Sequence, residues 1–162
     1  MALRTRLNEM LDIEHPIISA PMAFVAGGHL AATITGVGGL GLIGGGYGDA
    51  EWLEREFAEA RNARVGCGFI TWSLARRPQL LNLVLAHAPV AVMLSFGSPM
   101  PFARPIKNAG ARLICQVQCT GPHARGHRRW SRHNRSTGSG SWRTRANSCN
   151  SYVGPRGRRL SC

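Results

Sequence analysis

Hydrophobic positions along the first 118 residues fall into two alternating patterns. Short continuous apolar runs occupy 16–19, 40–43, 64–70, 90–96 and 113–117. A continuous run, unlike an in-and-out alternation, marks a strand covered on both faces, as in a parallel sheet. Helix-like stretches separate the runs. Residues 29–35 are short and Ala-rich. Residues 49–62 repeat Trp52, Leu53, Phe57 and Ala60 at helical spacing, with Asp49 placed to cap and Glu51 suited to the positive end of the helix dipole. Residues 78–87 open on Pro78 at a first-turn position and repeat Leu. Residues 101–109 are amphipathic and stop at Gly110.

The resulting order, β-α-β-α-β-α-β-α-β with short connections, predicts parallel strands joined by helical crossovers. Two α/β architectures fit: an open doubly wound sheet, and the N-terminal part of a (β/α)8 TIM barrel. A closed barrel takes eight units and typically about 250 residues. This pattern runs for about four and a half units and then stops.

Composition changes the picture at that point. All eight acidic residues lie before residue 119, whereas 119–162 hold ten Arg, no Lys, no Asp and no Glu. The only aliphatic residues larger than Ala in that stretch are Val153 and Leu160. Such a segment has too little apolar surface to offset an ordering entropy of about 1–2 kcal/mol per residue. The expected organisation is a partial barrel domain over 1–118 and a disordered, Arg-rich tail over 119–162. Arg with Trp130, Trp142 and Tyr152 would attract polyanions, so non-specific nucleic-acid binding is the rival reading; no specific nucleic-acid partner is expected. Met1 to Leu11 lacks the apolar core of a signal peptide, and no apolar run is long enough to span a bilayer. Cys67 and Cys115 sit in strand-like runs and read as buried reduced thiols. A cytoplasmic protein is the expectation.

Several segments invite chemistry. The glycines of 36–48 do not give the spacing of a dinucleotide fingerprint, and they straddle a strand rather than following one. A tight strand-to-helix turn at Gly44–Gly48, approachable by a ligand, is the better reading. Ser19-Ala-Pro-Met22 closes the first strand, at the end where barrels collect their active sites. Met22 there suits either the face of a flat cofactor or a core position behind a Pro turn. Cys115, Cys119, His123 and His127 fall at intervals of four, but Gly121-Pro122 breaks any helix that would align them, and no metal site is expected. His15, His29 and His87 stand alone, and structural roles are expected for them.

The opening Arg4-Thr-Arg-Leu, Glu14-His-Pro-Ile-Ile-Ser-Ala-Pro-Met22, Gly38-Gly-Leu-Gly-Leu-Ile and Val65-Gly-Cys-Gly-Phe resemble the start of the nitronate monooxygenase (2-nitropropane dioxygenase) family. The resemblance covers residues 4–118, and flavin-dependent enoyl reductases share parts of it. It implies an FMN-dependent TIM barrel that oxidises alkyl nitronates with O₂ to a carbonyl compound and nitrite. The family's flavin contacts map onto Pro21, Met22 and Ala23, onto Gly68 at the end of the third strand, and onto Gln116 in the fifth. At Gly68 the family often carries Asn, so a side-chain contact is missing. The family's catalytic His lies in a later A-G-G-H segment, and its flavin-phosphate loops follow strands six to eight. No catalytic residue is therefore assigned here. Ala26-Gly-Gly-His29 has the letters but follows the first strand, and the role is not moved to His29.

The genetic code accounts for the tail. Shifting 125–145 (RGHRRWSRHNRSTGSGSWRTR) forward by one nucleotide permits E-A-I-D-A-G-A-D-I-I-V-A-Q-G-x-E-A-G-G-H-G, a helix end, an apolar strand and the family's later motif. Arg and Ser codons are permissive. Trp is not: Trp130 and Trp142 each force Gly in the shifted frame, and both land where the motif requires Gly. The expectation is a frameshift near residues 118–124, which leaves this chain an inactive fragment.

Overall fold

The computed structural model describes residues 3–116. The expected tail, the Cys119, His123 and His127 positions, and the shifted-frame segment lie outside the described residues. Four strands and six helices are described: α1 Arg6–Leu11, α2 Gly28–Gly36, β1 Leu42–Gly44, α3 Ala50–Ala60, β2 Gly66–Ile70, α4 Thr71–Leu74, α5 Gln79–Ala86, β3 Ala91–Ser95, α6 Met100–Asn108 and β4 Arg112–Cys115.

Each predicted strand has a counterpart except the first. Residues 16–19 form only one parallel bridge, Ile18 to Leu40, flanked by Leu40 N–H to Ile17 O and Ser19 N–H to Leu40 O. The ladder stops there because Ile17 N–H turns back to His15 O at 2.7 Å instead of bonding across, and Leu42 N–H is taken by the Ser19 hydroxyl at 2.8 Å. Two short helices escaped the hydropathy reading. α1 is set by a capping box in which the Thr5 hydroxyl accepts from Leu7 N–H and the Asn8 carboxamide oxygen accepts from Thr5 N–H at 2.8 Å. α4 is a single turn directly after β2. Asp49 caps α3 as expected, its carboxylate accepting from Trp52 N–H at 3.0 Å. Pro78 stands at the N-cap of α5, one place earlier than expected. Gly110 ends the α6 segment at φ +79°, a conformation that costs glycine little.

The order of strands decides between the two architectures. Leu42–Gly44 pairs with Gly66–Gly68, β2 with β3, and β3 with β4, all parallel and in chain order. The Ile18–Leu40 bridge adds the first strand before β1. A doubly wound sheet reverses direction at a switch point; a barrel adds each strand beside the last. The described residues are the N-terminal part of a (β/α)8 barrel.

The continuous apolar runs do cover two faces. Ile43, Cys67, Phe69, Val92 and Leu94 pack outward against Leu53 and Phe57 of α3, Leu80 and Val84 of α5 and Ile106 of α6. Leu40, Leu42 and Ala91 face inward, with Met93 and Ile114 packed beside them. There Leu7, Met10 and Leu11 of α1 cover the N-terminal ends of the strands.

Helix α2 has no side chain of its own to cap it, because its N-cap is Gly27. Glu56 of α3 supplies the cap from across the interface: its carboxylate, 5% exposed, accepts from Gly28 N–H at 2.9 Å. Removing this acceptor strands a buried N–H. Glu56→Ala is expected to cost about 2 kcal/mol, read as a lower unfolding midpoint in thermal melts.

Candidate active site

At the C-terminal ends of the strands, successive loops interlock through glycines. Met22 turns the chain after the first strand, its carbonyl accepting from Val25 N–H at 3.3 Å and Ala26 N–H at 2.9 Å. That carbonyl lies where a Gly44 side chain would stand, 2.3 Å from the Cβ position. Gly44 N–H donates to Ala26 O at 2.8 Å, and Gly45 N–H donates to Gly68 O at 2.8 Å. The Gly44–Gly48 turn is therefore approached closely by the chain's own backbone. Trp52 Nε1–H donates to Gly44 O at 3.0 Å and Ser73 Oγ–H to Tyr47 O at 2.9 Å, so α3 and α4 brace the same turn.

The sequence-assigned residues take definite places here. Met22 is 52% exposed, which rules out the core position. Pro21 stacks on Gly68: a Cβ there would lie 2.3 Å from Pro21 Cγ. The side chain missing at Gly68 is thus replaced by the proline ring, and the Gly68 carbonyl is engaged by Gly45. Ala23 packs near Gly46. Gln116 follows β4, is exposed, and donates its N–H to Leu94 O at 3.0 Å. Pro21, Met22, Ala23 and Gly68 are brought together through these contacts. Gly68, expected at the end of the third strand, is the middle residue of β2, and Gln116 stands two strands beyond it, just past the end of β4.

Residues that the sequence did not single out gather at the same end. Phe24 and Phe96 both hold φ +59°, unusual for bulky side chains, and are 60% and 47% exposed. Phe24 meets Trp52 edge-on, with ring centroids 5.4 Å apart. An open cavity of about 480 Å³ lies between Phe24, Tyr47–Glu51 and Arg77, and Pro21, Met22 and Gly68 do not line it. Thr71, directly after β2, is 2% exposed. No periodicity or motif marks Phe24, Phe96, Arg77 or Thr71 as site residues, because their neighbours come from other loops, whereas Asp49, Glu51 and the Gly44–Gly48 turn carried local signals.

His29 is exposed on α2. His87 stacks on Phe57 at 4.6 Å and pairs with Glu54 at 3.3 Å. Neither approaches Pro21–Ala23 in any described contact. Among the described residues no group of three His, Cys, Asp or Glu could hold a metal, and no helix is long and apolar enough to cross a membrane.

Cys67 and Cys115 are free thiols. Burial pushes Cys67 far up despite hydrogen bonds from the Gly68 and Gly45 backbone. Burial likewise pushes Cys115 up to about 12, against a partial opposing pull from Lys107. A raised thiol pKa lowers the reactive thiolate at pH 8, for Cys115 by about three orders of magnitude. Site-resolved alkylation at pH 8 should leave both unmodified in the native protein and label both in denaturant. Rapid native labelling of Cys67 would contradict its burial.

Comparison with known proteins falls on this half of the barrel. The nitronate monooxygenase family pattern matches residues 4–67. That stretch is 64 of the chain's 162 residues. It holds Pro21, Met22 and Ala23, whereas Gly68 and Gln116 lie beyond it. A probable nitronate monooxygenase of Staphylococcus saprophyticus is 45% identical over 56 residues, 35% of this chain and 16% of that protein. One of Staphylococcus aureus is 45% identical over 58 residues, again 16% of its length. Among solved structures, FabK from Thermotoga maritima superposes with TM-score 0.68 at 26% identity, covering 85% of this chain and 42% of FabK. A point mutant of the same FabK gives 0.65 at 29% identity, covering 72% of this chain and 40% of its own. The matches thus span under a fifth of these curated relatives and less than half of FabK.

Proposed function

We propose that residues 3–116 are the first half of an FMN-dependent oxidoreductase of the nitronate monooxygenase type, acting on an alkyl nitronate and O₂. The observation that carries this reading is the placement of Pro21-Met22-Ala23. The family match includes it, and the fold presents it at the C-terminal strand ends, fixed on Gly44 and Gly68. Met22 would offer a flat ring its half-exposed side chain, while Gly44 and Gly68 beneath it are buried under the Met22 carbonyl and the Pro21 ring and so fix the turn that carries it. Pro21, Met22 and Ala23 would line one side of the flavin ring, with Gln116 as a polar group two strands away. Interlocking with Gly44 and Gly68 would hold that surface in place before the cofactor arrives. The redox step, from nitronate to O₂, is the chemistry that the flavin supplies when bound. Two free thiols, Cys67 buried and Cys115 partly buried, suit a cytoplasmic setting.

By the family resemblance, the phosphate-holding loops and the catalytic His belong to later strands. We assign the catalytic His to the shifted frame of 125–145 and the phosphate-holding loops to the strands that would follow it, so the 162-residue chain itself is an inactive fragment. Two results are expected of it. Purified, it should hold less than one FMN per chain, measured as absorbance of flavin released on denaturation. FMN should bind no tighter than riboflavin, since the phosphate finds no dedicated partner. One tightly held FMN per chain would overturn this account of the site.

A further inference from the structure

Thr71 carries a polar atom that nothing in the described structure uses. Its Oγ1 is buried and has no hydrogen-bond partner among the described residues. Glu56 and Ser73, buried to a similar degree, both have partners. A buried hydroxyl left unpaired destabilises a fold, and valine fills the same volume without that penalty. The position lies directly after the C-terminal end of β2, buried beneath the strand-end turns already described. Thr71 follows Ile70, which pairs with Ser95 at the end of β3, and three residues earlier in the chain Gly68 seats Pro21. The turn after β3 closes on it: a Cβ on Gly97 would stand 2.9 Å from Thr71 Cβ. The preceding residue of that turn, Phe96, is the exposed aromatic at φ +59°.

We propose that the Thr71 hydroxyl is a binding group for the polar edge of the flavin ring, one that finds its hydrogen-bond partner only when ligand is present. The assignment rests on the flavin reading above. A hydroxyl both donates and accepts, so it can meet either a ring carbonyl or a ring nitrogen. Substituting it separates stability from binding, because the group is a liability without ligand and an asset with it.

The test uses the full 162-residue chain as wild type, Thr71→Val and Thr71→Ser. Two quantities are read: the thermal unfolding midpoint without ligand, and riboflavin affinity by fluorescence titration. Thr71→Val should raise the midpoint by a few degrees and weaken riboflavin about tenfold, while Thr71→Ser keeps near wild-type affinity. A lowered midpoint in Thr71→Val would overturn the proposal, since it would mean that the hydroxyl already has a partner such as a buried water. A raised midpoint with unchanged affinity would overturn the ligand role alone. Wild-type protein that binds no riboflavin at millimolar concentration would overturn the flavin reading, and this assignment with it.

Discussion

Correcting the reading frame by one nucleotide between codons 118 and 124 should turn a chain that holds little flavin into one that binds FMN and consumes O₂ with an alkyl nitronate. The expectation starts from two codons. Trp130 and Trp142 each have a single codon, and each becomes Gly one nucleotide on. Both fall where Q-G-x-E-A-G-G-H-G and the strand before it require Gly. The structure supplies the other half of the argument. Its strands add in chain order, each beside the last, so a sixth strand has a defined place next to the fifth. The corrected product should carry about one FMN per chain, and nitronate-dependent O₂ uptake should rise from background. Within it, changing the restored A-G-G-H histidine to Ala should lower turnover much more than flavin content, because that side chain is assigned to the substrate and not to the cofactor. A DNA sequence whose shifted frame lacks the motif, or a corrected protein without bound flavin, would refute the assignment.

Gly28→Ala should be among the most damaging single substitutions in the described domain. On helix propensity alone the change would help, since Gly is worse than Ala in a helix by about 1 kcal/mol. Packing reverses the sign. An added Cβ would lie 1.8 Å from Glu56 O and 2.8 Å from Ala60 N, both main-chain atoms of α3, so no side-chain rotation relieves it. The two helices would have to separate, and the Glu56 cap on Gly28 N–H would be lost with them. A cost of about 3 kcal/mol or more is expected, seen as a fall of roughly 10 °C or more in the unfolding midpoint. Gly36→Ala is the control. It ends the same helix, and its Cβ would meet nothing within 4 Å, so it should be neutral or slightly stabilising. Equal effects at the two positions would show that helix propensity, not contact with α3, governs this element.

The same glycine pair shows where sequence reasoning reaches its limit. Ala26-Gly-Gly-His29 spells the letters of a catalytic motif, and its place after the first strand was enough to set that role aside. What the glycines are for could not be read from the chain, because the atoms that require them, Glu56 and Ala60, lie some thirty residues away. Gly68 is a similar case. Its missing side chain was legible as a departure from the family pattern. That Pro21 fills the space was not, since the contact joins the turn after the first strand to the middle of β2, with α2, β1 and α3 between them in the chain.

Element order and type were determined by the sequence itself, because hydrophobic periodicity and capping residues act over a few neighbouring positions. The continuous apolar runs gave buried parallel strands, Asp49 began a helix, and Gly110 ended one. The strand at 16–19 shrank to a bridge and the single turn α4 was missed because in segments this short tertiary contact outweighs local pattern, whereas α1 was missed because its Thr5–Asn8 capping box is a local signal that hydrophobic periodicity does not carry. The hydropathy pattern left an open sheet and a barrel both standing, and the family resemblance implied the barrel; the strand order in the tertiary structure settled it, since the two architectures share one β-α order and differ in which strands become neighbours. Only the tertiary structure placed Met22 at the surface, Pro21 on Gly68 and an unpartnered hydroxyl at Thr71. Those facts depend on long-range packing between loops that meet at the strand ends, and no stretch of the chain carries them alone.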